Sequence, residues 1–161
     1  MIRQLESRID DQAGGWPEEV FLFVSRITLL INVDLLIQDG SGRTLLTWRN
    51  DEFYGPGWHV PGGIIRFKET AADRILKVAR RELGVDVEFD SAPIAVEESI
   101  KPSRQDRAHF ISLLYRSRLV SDLDQNRRYT PANPVADQWL WHDGCPENLI
   151  EEQRAYTVFM G

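Results

Sequence analysis

A Pro-Gly-Gly turn at residues 61–63, followed by a helical pattern that opens at Thr70 and stops at Gly84, restricts this chain more than any other part of it. Proline fixes its own φ, and two glycines carry no side chain, so bare backbone carbonyls and amides are presented at a surface. Downstream, Ala72, Ile75, Leu76, Ala79 and Leu83 recur at spacings of three and four, which predicts one apolar helix stripe. Thr70 with Asp73 supplies a capping-box start, and Gly84 a left-handed stop. Glu69 and Glu82 set a carboxylate near each end of this helix. Backbone oxygen beside carboxylate is the donor chemistry of a hard cation.

Around this segment the pattern is mostly β. Ile27–Ile37 and Thr44–Trp48 read as strands, and Asp39-Gly40-Ser41-Gly42 between them predicts a hairpin, with Arg49 just past the second strand. Residues 50–57 form an aperiodic loop containing Tyr54. Val85–Phe89, Ile94–Ser99, His109–Leu119 and Gln138–Trp141 read as further strands. Pro17-Glu18-Glu19-Val20 opens a short helix, and Pro146–Phe159 closes the chain with another. Residues 1–15 are polar and end in Gly14-Gly15, which predicts a flexible N-terminal arm before a single domain over 16–161. Strands mixed with two or three helices, without an internal repeat, indicate an α/β (α+β) sandwich.

The 161 residues, 42% hydrophobic and 27% charged, suffice for one packed core. A net charge of −6 argues against a nucleic-acid partner, since phosphate-backbone binding rests on clustered Lys and Arg. A small anionic substrate stays compatible with it if a metal supplies the positive charge. Cys145 is the sole cysteine, which excludes an intrachain disulfide and a thiolate zinc cluster and favours a reducing, cytoplasmic setting. The N-terminus lacks an apolar signal core, and Asn32 and Asp34 interrupt the most apolar run, so no membrane partner is expected.

Residues three and four apart share a helix face, and here that face carries Val78, Arg81 and Glu82. A multi-metal cluster needs several carboxylates there, so the helix supports at most one tightly held cation. Mg²⁺ suits such a site, with Mn²⁺ as the alternative, and its protein ligands would be the Gly62 carbonyl and Glu82.

Gly63, Glu69, Glu82, Gly84 and Val85 stand in the register of the Nudix signature: Gly, five residues, Glu, seven residues, Arg-Glu, apolar, any, Glu-Glu, any, Gly, apolar. The chain therefore resembles the Nudix hydrolases, which implies an α/β/α sandwich with a mixed sheet and a loop–helix–loop site. Lys77, Val78 and Arg81 depart from the signature, standing where the family has Arg, Glu and the first of the paired Glu residues. With Trp58-x-Val60-Pro61-Gly62-Gly63 and Glu82-Leu83-Gly84, this degenerate box looks like the GDP-mannose mannosyl hydrolase branch, and the similarity runs from about Val20 to Trp141.

That resemblance implies a homodimer with one Mg²⁺ on the first glycine, the last box glutamate and a glutamine from a later loop. It also implies attack of water on the anomeric carbon of a nucleotide sugar, releasing sugar and nucleoside diphosphate. Carried over, Gly62 and Glu82 hold the metal, Gly63, Glu69 and Gly84 shape the box, and Arg49 stabilises the departing diphosphate. The branch has an arginine at the position of Ile64, a role Arg66 is expected to take. Asn133-Pro134 stand where it has a Gln-His pair, which leaves Asp137, Glu97, Glu98 and Asp122 as replacement bases. His109 matches a similarly placed histidine and is a candidate substrate contact, as is Tyr54. The tryptophans read first as core, and His59 is opposed by alternation to Trp58 and Val60, facing either solvent or the site. A pyrophosphohydrolase of another nucleoside diphosphate linked to a second group, or a non-catalytic nucleotide-sugar binding module, is the alternative function.

Overall fold

The computed structural model describes residues 2–7, 9 and 16–161. Part of the expected arm lies outside them, and within the arm Ile2–Glu6 forms a short helix, α1. The helix opened by Pro17 spans Glu18–Ile27 (α2), so Ile27 ends a helix and the strand β1 starts only at Leu30, running to Ile37. Then follow β2 (Thr44–Arg49), β3 (Gly57–His59), β4 (Gly62–Ile64) and α3 (Ala71–Val78), which continues as one wider turn over Ala79–Leu83. The later strands are β5 (Val87–Phe89), β6 (Ala95–Ile100), β7 (His109–Leu119) and β8 (Trp139–His142), and a 3₁₀ helix spans Glu151–Phe159.

The predicted β1–β2 hairpin does not form. Asp39 and Arg43 close a turn through the Asp39 amide and the Arg43 carbonyl at 3.0 Å, but the two strands then enter different sheets. The physical reason is the burial of β1, where Val33 through Ile37 are all buried, so neither face meets solvent. A strand buried on both faces sits centrally and uses both edges. Here β7 takes one edge in parallel register and β4 the other antiparallel. The first, mixed sheet has the order β4-β1-β7-β5, with β6 also on β7; the second is an antiparallel β3-β2-β8. Arg49 is the last residue of β2 and pairs with Gly57, rather than lying beyond the strand.

One apolar cluster joins α3 to the mixed sheet through Ile75, Val78, Leu83, Val33, Leu35 and Tyr115. Another lies between the sheets and the C-terminal helix, through Leu36, Leu46, Trp48, Trp58, Val60 and Tyr156. The mixed α/β sandwich expected from the sequence is therefore present. Trp48, Trp58 and Trp139 are buried in these clusters, in agreement with the core reading. Among the described residues, no helix is long and apolar enough to cross a membrane.

Candidate active site

Thr70 caps α3 as its sequence requires: its hydroxyl accepts from the Asp73 amide at 3.1 Å, and Asp73 accepts from the Thr70 amide at 3.2 Å. Gly84 ends the helical segment at φ 73°, a conformation glycine adopts without cost. Glu69 is the buttress at the other end. It accepts from the Arg66 amide (2.9 Å), from Arg74 Nη2 (2.6 Å) and from Lys77 Nζ (2.8 Å), which together hold its carboxyl below the ordinary range despite burial.

The Pro-Gly-Gly turn and the residue before it are held by two partners. The Pro61 carbonyl accepts from the Leu35 amide at 2.8 Å, and Gln153 grips Val60 through its amide (2.6 Å) and carbonyl (3.1 Å). A side chain at Gly62 would meet Asp34 Oδ1 at 2.0 Å, and one at Gly63 would meet Val78 Cγ2 at 2.8 Å. Both positions are thus glycine because a carboxyl and a core methyl already occupy the space.

A cavity of about 380 Å³ opens beside this turn, and Arg49, Gly62, Gly63, Arg66, Arg81 and Glu82 all line it. The sequence-derived metal and phosphate candidates are therefore brought together. Tyr54 lies beside them, under the Arg49 guanidinium at 4.5 Å from its ring centroid, and lines an adjoining recess. Of the four replacement bases only Asp137 lines the cavity, and burial followed by the charge of Glu82 raises its pKa. Glu97, Glu98 and Asp122 do not line it. The structure does not bring His109 to the cavity either. That side chain starts β7 and contacts Glu98 at 3.0 Å, because its neighbour across the sheet edge is β6.

Glu82 is buried, and its two oxygens have different company. Oε2 lies 3.3 Å from the Thr47 hydroxyl and 3.3 Å from His59 Nε2; Oε1 accepts from Arg81 Nη2 at 2.7 Å. Burial alone would raise this carboxyl, but the His59 contact and the Arg81 guanidinium outweigh it and keep it below the ordinary range. Arg81 Nη2 also reaches the Gly62 carbonyl at 3.3 Å. A single cationic nitrogen thus touches both oxygens proposed to seat a metal, so the donor set fits one hard cation completed by water and phosphate oxygens. No group of three or more His, Cys, Asp or Glu among the described residues is placed to hold a metal by itself.

Other residues in or behind the cavity wall gave no sign of a site in the sequence. Asp34 sits on β1 directly opposite Gly62, accepts from Tyr156 (2.7 Å) and Asn32 (2.7 Å), and burial pushes it up to about 7. Tyr156 and Gln153 come from the C-terminal 3₁₀ helix, more than ninety residues from their partners. Arg107 reaches in from the loop before β7, over the Phe53 ring at 4.7 Å, with its Nε buried and unpartnered. His59, which alternation left facing either solvent or the site, lines the cavity, while its neighbour Trp58 lies in the core.

Residues 28–144 match the NUDIX domain family model. Over 62 residues the chain is 44% identical to the low-salt glycan biosynthesis protein Agl8 of Haloferax volcanii, a match spanning 38% of this chain and only 39% of that protein. Its fold is similar to that of a MutT NUDIX hydrolase from Burkholderia pseudomallei (TM-score 0.64, 19% identity, 83% of this chain and 99% of that one). It is also similar to a UDP-X diphosphatase (TM-score 0.60, 21% identity, 98% and 74%).

Proposed function

The chain belongs to the NUDIX domain family, and from that premise we propose that it hydrolyses a nucleoside-diphosphate sugar of the GDP-mannose type, releasing sugar and nucleoside diphosphate. The observation that carries this reading is the joint placement of Gly62, Glu82, Arg49 and Arg66 on one cavity. A seat for one cation facing guanidinium groups matches a diphosphate, whose oxygens a metal and forked N–H donors neutralise together. A relative named for glycan biosynthesis supports nucleotide-sugar chemistry, and the one-carboxylate helix face is poorly equipped for multi-metal attack at phosphorus.

Mg²⁺ held by the Gly62 carbonyl and Glu82 would neutralise diphosphate charge; every other role belongs to side chains. Arg49, steadied by Asp51 at 2.6 Å, forks onto the departing diphosphate. Arg66 adds a second positive charge from the loop before α3. Asp137, raised above the ordinary carboxylate range, takes the proton from the attacking water, as a base must in a site that works near neutrality. Residues 16–161 form the catalytic unit, and the protein acts in the cytoplasm as a homodimer.

Product analysis in ¹⁸O-labelled water tests the proposal across a panel of nucleotide sugars. Label in the sugar supports attack at carbon. Label in the phosphate product points instead to pyrophosphate cleavage, and absence of turnover with every member leaves a binding module.

A further inference from the structure

Arg81 stands where the family has a glutamate, so the helix face meant to attract a cation carries one covalently. Its Nη2 contacts Glu82 Oε1 at 2.7 Å and the Gly62 carbonyl at 3.3 Å, bridging the two oxygens of the cation seat. The side chain is nevertheless 59% exposed, whereas that of Glu82 is 5% exposed. A buried carboxylate without a counter-charge is expensive, so Glu82 needs a positive partner whenever no ion is bound. An exposed guanidinium contributes little by staying in place, so it can withdraw to water easily. Glu82 does not depend on Arg81 for its orientation, because Thr47 and His59 hold the other oxygen.

We infer that Arg81 is a tethered cation occupying the seat of the divalent ion, neutralising Glu82 when the ion is away and yielding the two oxygens when it arrives. Ion loading is then an exchange, guanidinium out and metal in, and ion affinity is set by the difference between the two. The inference rests on the proposed seat at Gly62 and Glu82, and it makes Arg81 a positioning residue that tunes affinity for the ion.

Mn²⁺ titration of the full chain, with free ion followed by electron paramagnetic resonance, tests this without reference to turnover. Arg81→Gln is expected to bind Mn²⁺ about tenfold more tightly than the natural sequence, since the ion no longer competes with a charged donor. In EDTA the same variant is expected to melt about 2–4 °C lower, with Mn²⁺ restoring the loss. Equal or weaker Mn²⁺ binding by Arg81→Gln, while Glu82→Gln still weakens it, overturns the role of Arg81 and leaves the seat intact. Mn²⁺ binding that is indifferent to Glu82→Gln in both backgrounds removes the seat itself, and the inference with it.

Discussion

Glu69 and Glu82 stand at opposite ends of one helical segment with side chains 4% and 5% exposed, yet they are held in opposite ways. Glu69 is closed: a backbone amide and two cations saturate it, and one of those cations, Arg74, is itself buried. Glu82 is half open, with one oxygen fixed by Thr47 and His59 and the other paired only to an arginine that lies mostly in solvent. Asp34 extends the series to a third state, in which a fully buried carboxyl has only the uncharged donors Tyr156 and Asn32 and therefore moves up to about 7. Burial alone does not distinguish a structural carboxylate from one available for chemistry; the mobility and charge of its partners do.

The largest expected effect tests the open end. Glu82→Gln should lower turnover of the nucleotide-sugar substrate by about 10²-fold or more while leaving thermal stability nearly unchanged, since Arg81 then relaxes into water. Retained turnover would refute the metal assignment. For Asp34, whose folded pKa lies above its unfolded value, the stabilising contribution is fully present below about pH 4 and is lost as pH rises through 7. Urea titrations at pH 5 and pH 8 should show Asp34→Asn removing this decline, worth about 2–3 kcal/mol between those two pH values. Parallel pH profiles for the two proteins would mean that Asp34 is not held neutral.

Glu69→Gln tests the closed end and should reverse the pattern of Glu82→Gln. It leaves the buried Arg74 without its counter-charge and costs roughly 3 kcal/mol in a denaturant titration, with turnover at low temperature largely preserved. The smallest effect is expected at the cap, where Thr70→Ala removes the bond to the Asp73 amide and costs about 1 kcal/mol by the same titration.

The cap was legible in the sequence because it is local, whereas the place of Glu69 in the box came from the family resemblance. Thr70 and Asp73 lie three residues apart and Gly84 acts through its own φ at the other end of the segment, and periodicity and glycine chemistry report on that range. The gathering of Arg49, Arg66, Gly62 and Glu82 followed from the family resemblance rather than from spacing. Asp34 read only as an interruption of an apolar run, because its meaning comes from Gly62 across β1 and β4 and from Tyr156 at the far end of the chain. Gln153 was equally silent, since no local pattern reveals that a side chain will clasp the Val60 backbone ninety-three positions away. The hairpin failed for the complementary reason: its turn is real, but pairing was decided by the two buried faces of β1.

The widened turn over Ala79–Leu83 changes the pitch of the helical screw just before the cavity. Val78 and Leu83 are five residues apart yet both enter the helix–sheet core, although a regular helix would point them about 140° apart. The segment thus carries one residue more than a regular helix would need to bring both into the core. Deleting Arg80 would leave Val78 and Leu83 four residues apart, the spacing at which a regular coil keeps both on one face, so the extra residue is absorbed by widening the turn beside the cavity and not by turning either flank away from the core.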